Sequence, residues 1–184
     1  MLTAKPLFAD SLLIQTAIYQ DSRGAFQETF KAKHYQQLGI AEHFVQDNVS
    51  LSAKGVLRGM HFQRRTAQGK LITVLQGRIY DVMLDIRPHS AHFGQWFGIT
   101  LEAASGQQLY IPPGFAHGFQ ALCDNTLISY KATEYYSAVD DAAFNALDPA
   151  LAISWPITAS LRSAKDSEAP SFADLSASFE TTSL

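Results

Sequence analysis

The chain contains a single cysteine, Cys123, so no disulfide can form within it. That absence excludes the disulfide-stapled class of small secreted folds and fits a reducing compartment. Long apolar runs are missing as well. None reaches the length of a transmembrane helix, and the opening MLTAKPLFADSLL has no apolar stretch of the signal-peptide kind. The expectation is a cytoplasmic protein with no membrane partner. Charge of one sign is also scarce: 14 Lys and Arg against 17 Asp and Glu leave a net charge of −3. A broad polyanion-binding surface is thereby excluded, and with it nucleic acid as a partner. A local basic pocket for one phosphorylated ligand stays compatible with this balance. There is no internal repeat and no linker, so one domain over residues 1–184 is expected, with the polar end DLSASFETTSL loosely ordered.

What is present points to β-structure. Twelve Phe and seven Tyr accompany eleven Gly and seven Pro, the mixture of short aromatic strands and tight turns that builds antiparallel sandwiches and barrels. Strands are expected at residues 12–19, 26–30, 44–52, 56–63, 70–76, 79–86, 96–101, 108–111, 119–122 and 126–132. One short helix is expected at KAKHYQQLG, with Gly39 just past its end. The run VLQGRIYDVMLDIR reads as a hairpin about Gln76 and Gly77. Beyond about Ser137 the pattern changes to loop and helical turns.

Two spaced patterns carry chemistry. In GQQLYIPPGFAH, Gly106 is followed by Pro112, Gly114 and His117 at the spacing of the second motif of the cupin superfamily, with Ala121 where that motif has asparagine. Pro112 and Gly114 make a tight turn and His117 then points inward. The first cupin motif would begin at Gly55 and end at Gly77. His61 fits its first histidine, Gln63 stands at its second, and Lys70 stands where its glutamate belongs. A cupin metal takes about three histidines and a carboxylate, and an ammonium group beside a divalent cation is repulsive. The expectation is therefore a cupin-type jelly-roll β-barrel with no metal and no cofactor, leaving His61 free to act as a base. In GVLRGMHFQ, Arg58 and His61 are three apart, so a regular strand would turn them to opposite faces. Both reach one cavity only if the strand bulges, and Gly59 is placed to allow it.

Seven stretches, in order, resemble the dTDP-4-dehydrorhamnose 3,5-epimerase family of deoxysugar biosynthesis. They are DSRGAFQETF, FVQDNVSLSAKGVLRGMHFQ, QGKLITVLQGRIYDVMLDIRPHSAHFGQW, LYIPPGFAHGFQAL, YKATEYY, LDPALAISWP and AKD. The resemblance implies a dTDP-linked 4-keto-6-deoxyhexose as substrate, inverted at C3 and C5 through an enolate. It implies His61 as the base, Tyr130 as the acid, Lys70 as the enolate stabiliser and Asp166 as the carboxylate that orients His61. It makes Arg58 a contact to the pyrophosphate or sugar, and places Gln46, Asn48, His117 and Tyr136 around the sugar diphosphate. Arg23, Phe26 and Glu28 would reach the nucleoside, partly from a neighbouring subunit, which implies a homodimer.

The segment after Tyr136 departs from the family. Ala138, Val139, Asp141, Ala143, Phe144, Ala146, Leu147 and Asp148 stand where the family has Pro-Glu, Glu, Gly-Ile and Trp-Asn-Asp. A change there permits another 4-keto sugar nucleotide as substrate, or inversion at only C3 or C5. Two further classes compete: a metal-dependent cupin, opposed by Lys70 and Gln63, and a sugar-nucleotide binder without catalysis, opposed by the presence of both a base and an acid. The loop Arg64–Gln68 reads as solvated, with no function.

Overall fold

The computed structural model describes residues 2–158 and 161–176. Thirteen strands are joined by short connections: β1 (Thr3–Pro6), β2 (Leu12–Gln15), β3 (Ile18–Asp21), β4 (Gly24–Gln27), β5 (Gln46–Ser52), β6 (Leu57–Gln63), β7 (Lys70–Gln76), β8 (Arg78–Asp85), β9 (Trp96–Glu102), β10 (Gln107–Ile111), β11 (Phe115–Ala121), β12 (Thr126–Ala132) and β13 (Asp141–Ala143). Three short α-helices, α1 (Ala32–Gln37), α2 (Ala164–Ser167) and α3 (Phe172–Ser176), and one 3-10 turn at Ala103–Ser105 accompany the strands among the described residues. One sheet has the order β1-β2-β10-β7-β12-β5, and it faces a second with the order β13-β6-β11-β8-β9. The strands β3 and β4 form a separate two-stranded hairpin. This is the expected jelly-roll sandwich. Among the described residues no helix is long and apolar enough to cross a membrane.

The core follows from strand alternation. Ile72, Val74, Leu109 and Ile128 of the first sheet meet Ile79, Met83, Phe115 and Phe119 of the second. The opposite face of the second sheet carries Leu57, Met60, Phe62, Val82 and Leu84, and the C-terminal segment covers them with Phe144, Leu151 and Leu175. The outer face of the first sheet buries Ile14, Leu71 and Tyr110 under Tyr35 of α1 and Ile40. Fully burying one such aliphatic side chain is worth about 1.5–3 kcal/mol.

Several expectations change. The hairpin at Gln76–Gly77 does not form: β7 and β8 lie in different sheets. Gly77 has φ of 79°, and a Cβ there would lie 2.7 Å from the Thr126 hydroxyl, so this glycine lets the chain step across the sandwich rather than fold back on itself. The single strand expected over residues 12–19 is two. Its break falls at Thr16, whose amide and hydroxyl both donate to the Gly106 carbonyl and lead the chain out of the sheet. The strand expected at 119–122 is β11, which starts at Phe115 and is buried along its whole length. The strands β1 and β13 were not expected at all. Of the polar C-terminal stretch, Asp174–Ser176 belong to α3 with Leu175 buried, and residues 177–184 lie outside the described residues.

Candidate functional site

One end of the sandwich holds a cavity of about 380 Å³ between the sheets. Cross-strand pairing explains its first wall. Ala132 pairs with both Gln46 and Lys70, and Tyr130 pairs with Asn48, which brings Gln46, Asn48, Tyr130 and Lys70 to the inner face of the first sheet. The second sheet supplies His61 and Gln63 from β6. Along this strand Leu57, Met60 and Phe62 pack into the outer cluster, leaving Arg58 and His61 on the inner side despite their spacing of three. The pairing shows how. Between His117↔His61 and Phe119↔Arg58, β11 advances two residues while β6 covers three, so β6 carries one extra residue. Gly59 has φ of 115°, and a Cβ on it would meet the Gly118 Cα at 2.6 Å. The bulge expected at Gly59 is present, and no larger residue fits there.

His61 and Asp166 form the central pair. Nε2 of His61 lies 2.6 Å from Oδ1 of Asp166, and Oδ2 of Asp166 accepts from the Gly59 amide at 3.4 Å. Asp166 sits in α2, whose N-cap is Ser163: the Ser163 hydroxyl accepts the Asp166 amide. Burial works against the charge of Asp166, but the hydrogen bonds from His61 and Gly59 hold its carboxyl below the ordinary range. A carboxylate only accepts, so the proton between the pair sits on Nε2. That tautomer leaves Nδ1 as a lone pair, without a partner among the described residues.

Lys70 is 8% exposed, and its ammonium group makes no hydrogen bond or ion pair among the described residues. Burial pushes its ammonium down to about 8, against the attraction of Asp81 and Asp141. Burial also raises the Tyr130 hydroxyl, with Arg58 acting in the opposite sense. Tyr136 completes this side of the cavity, donating to Oδ2 of Asp141 at 3.0 Å.

Five expected binding residues lie elsewhere. His117 is buried and is not in the cavity lining; its Nε2 lies 2.9 and 3.0 Å from the carboxylate oxygens of Asp81. Burial lowers its pKa while Asp81 pulls it up. Arg58 lines a neighbouring concavity that shares His61 and Lys165 with the main one, and its Nε donates to Ser52 Oγ at 3.1 Å. Arg23 and Phe26 line a third depression on the β3–β4 hairpin, and Glu28 faces His34 at 3.4 Å. These three do not meet His61 within one chain. Conversely, Gln63, Gln68, Asp141 and Lys165 line the main cavity although no motif in the sequence gives them a binding role. Lys165 was within reach, because it precedes Asp166 in the motif AKD, and it pairs with Asp141 across the cavity mouth.

The positions that would hold a cupin metal do not make a donor set. His61 is engaged by Asp166, His117 by Asp81 and the Gln63 amide by backbone, while Lys70 is a cation. The arrangement suits proton transfer instead. An imidazole with a free ring nitrogen stands on one sheet, a hydroxyl on the other, and beside them an ammonium group without a side-chain partner among the described residues.

The model of the dTDP-4-dehydrorhamnose 3,5-epimerase family matches residues 6–174. The dTDP-4-dehydrorhamnose 3,5-epimerase of Escherichia coli is 46% identical over 154 residues, covering 83% of each chain. The structure of dTDP-6-deoxy-D-glucose-3,5-epimerase from Legionella pneumophila, in complex with dTDP-4-keto-L-rhamnose, superposes with a TM-score of 0.89 at 44% identity and covers 93% of both chains. The structure of dTDP-4-dehydrorhamnose 3,5-epimerase from Bacillus anthracis, with TDP and PPi bound, gives the same TM-score and identity over 93% of this chain and 99% of that one.

Proposed function

Because the chain belongs to the dTDP-4-dehydrorhamnose 3,5-epimerase family, we propose that it inverts C3 and C5 of a dTDP-linked 4-keto-6-deoxyhexose, giving dTDP-4-dehydro-L-rhamnose. The observation that carries this reading is the division of the proton-transfer groups between the sheets: His61 on β6, Tyr130 and Lys70 on β12 and β7, with the cavity between them.

The C4 ketone acidifies the protons on C3 and C5. Nδ1 of His61 removes one of them, and Asp166 holds the imidazolium that forms. The electron pair left on carbon moves to the C4 oxygen, where the Lys70 ammonium stabilises the enolate. Tyr130 returns a proton from the opposite face, which inverts the carbon. The second carbon is inverted by the same cycle once solvent exchange has reset the two groups. Arg58, which lines the adjoining concavity, contacts the diphosphate or the sugar.

The active form is a homodimer. Support comes from the projecting hairpin, where Tyr19 and Phe26 are 64% and 68% exposed beside Arg23, away from the cavity of their own chain. A second copy would bring this hairpin to the nucleoside. The single cysteine supports a cytoplasmic location.

The test is incubation with dTDP-4-keto-6-deoxyglucose and assignment of the product by proton NMR. The expected product has both centres inverted. A product inverted at one centre would restrict the activity to mono-epimerisation, which the altered residues 138–147 make the natural second reading. Unchanged substrate would refute activity on this sugar.

A further inference from the structure

Gln63 occupies the position at which the cupin pattern has a metal-ligating histidine, and its side chain has a definite occupation. It ends β6 at 4% exposure, paired in register with Asp141. Its Oε1 accepts the Ser137 amide at 2.6 Å, and its Nε2 donates to the Tyr135 carbonyl at 3.2 Å and the Thr66 carbonyl at 2.8 Å. From the other sheet, Oε1 of Gln46 accepts the Tyr136 amide at 2.8 Å. The backbone of residues 135–137 lies between β12 and β13 with no strand beside it. Two side-chain amides, one from each sheet, stand in for the missing ladder.

This short segment carries the Tyr136 ring, which in turn holds Asp141. We infer that Gln63 is a positioning residue: by gripping the backbone on both sides of Tyr136, it sets the cavity wall that Tyr136 and Asp141 present to the sugar, and so governs affinity while leaving the proton-transfer groups in place. The inference rests on reading the cavity as the sugar site. It also explains why glutamine belongs here. Only a primary amide offers an acceptor to one backbone group and donors to two others in a single plane. A carboxylate would face the Tyr135 and Thr66 carbonyls with no proton to give, and an imidazole has one atom at each position instead of a fork.

The test uses Gln63→Glu and Gln63→Leu with two readouts. The first is amide hydrogen exchange of the peptide spanning residues 134–138, which needs no substrate. Gln63→Leu, which loses the acceptor for the Ser137 amide, should exchange about tenfold faster there with β7 and β11 unchanged, and Gln63→Glu, which keeps that acceptor, should change less. The second is steady-state kinetics. KM should rise about tenfold with kcat kept within about threefold, because binding is lost and the chemistry is not. Loss of folded protein alone would do the reverse, lowering kcat at constant KM. For Gln63→Glu the KM defect should shrink as pH falls, since a protonated carboxyl regains one donor. Unchanged exchange in Gln63→Leu overturns the inference. So does faster exchange with unchanged KM in an enzyme whose wild type is active. If the wild type turns over no 4-keto sugar, the functional reading has failed, and the exchange result still decides whether Gln63 holds the segment.

Discussion

At the scale of single residues, the proposed chemistry divides labour among His61, Asp166 and Lys70, and each can be removed alone. His61→Ala takes away the base and should lower kcat by about 10²–10⁴-fold. Asp166→Asn keeps the shape but allows the wrong imidazole tautomer, and should fall in the same range; a change below about threefold in a folded variant would show that the pair is only structural. Lys70 makes the sharpest prediction. Its folded pKa is lowered from 10.5 to about 8 by burial. The unfolded chain therefore binds this proton more tightly, and unfolding between about pH 8 and 10.5 takes one up, so stability rises with pH across that window. Below it the buried ammonium is a standing penalty. Lys70→Met should thus raise Tm at pH 7 by removing a penalty of about 1–3 kcal/mol, while abolishing turnover. In the wild type, kcat/KM should fall as pH rises through about 8, where the enolate loses its cation; Tyr130, raised by burial, stays protonated throughout. An unchanged Tm in Lys70→Met, or a flat profile to pH 9.5, would contradict this role.

At the scale of elements, the site depends on one extra residue in β6. Gly59→Ala would place a Cβ 2.6 Å from the Gly118 Cα and 2.7 Å from the His117 carbonyl, at a φ that alanine avoids. The expected loss is on the order of 2–3 kcal/mol, read as a lower urea midpoint at constant m. This bulge was legible beforehand, because Arg58 and His61 could share a cavity only if the strand broke its alternation. His61, Lys70, Tyr130 and Asp166 each lie in a short stretch that resembles the family, which is why they could be named beforehand; the structure brings them together, and their roles in proton transfer belong to the proposal. The Gln76–Gly77 hairpin was misread because a glycine between apolar strands looks the same whether the chain turns back or crosses to a facing sheet. Thr126, distant in sequence, decides it. The clamp on residues 135–137 was illegible for the same physical reason: Gln63 and Gln46 act across 74 and 90 residues of chain, and no local pattern records that. His117 misled in the other direction. Its motif position is real, but Asp81 behind it takes up its ring.

At the scale of the whole molecule, the proposed homodimer would give the β3–β4 hairpin its use in a second copy. Sedimentation equilibrium should give twice the 20.2 kDa chain mass. Mixing His61→Ala with Arg23→Ala, each expected to be impaired alone, should restore about a quarter of the sites, because a two-fold heterodimer contains one site with both residues intact. No recovery after subunit exchange would place Arg23 outside the partner's site. The central claim is that one cavity takes a proton from one face of the sugar and returns it to the other at both carbons beside the ketone. Proton NMR in deuterium oxide, with dTDP-4-keto-6-deoxyglucose and wild-type enzyme, tests it most directly. The C3 and C5 proton signals should both vanish as deuterium enters, and neither should do so at a comparable rate with His61→Ala. Persistence of both signals in the presence of folded wild-type enzyme would contradict it.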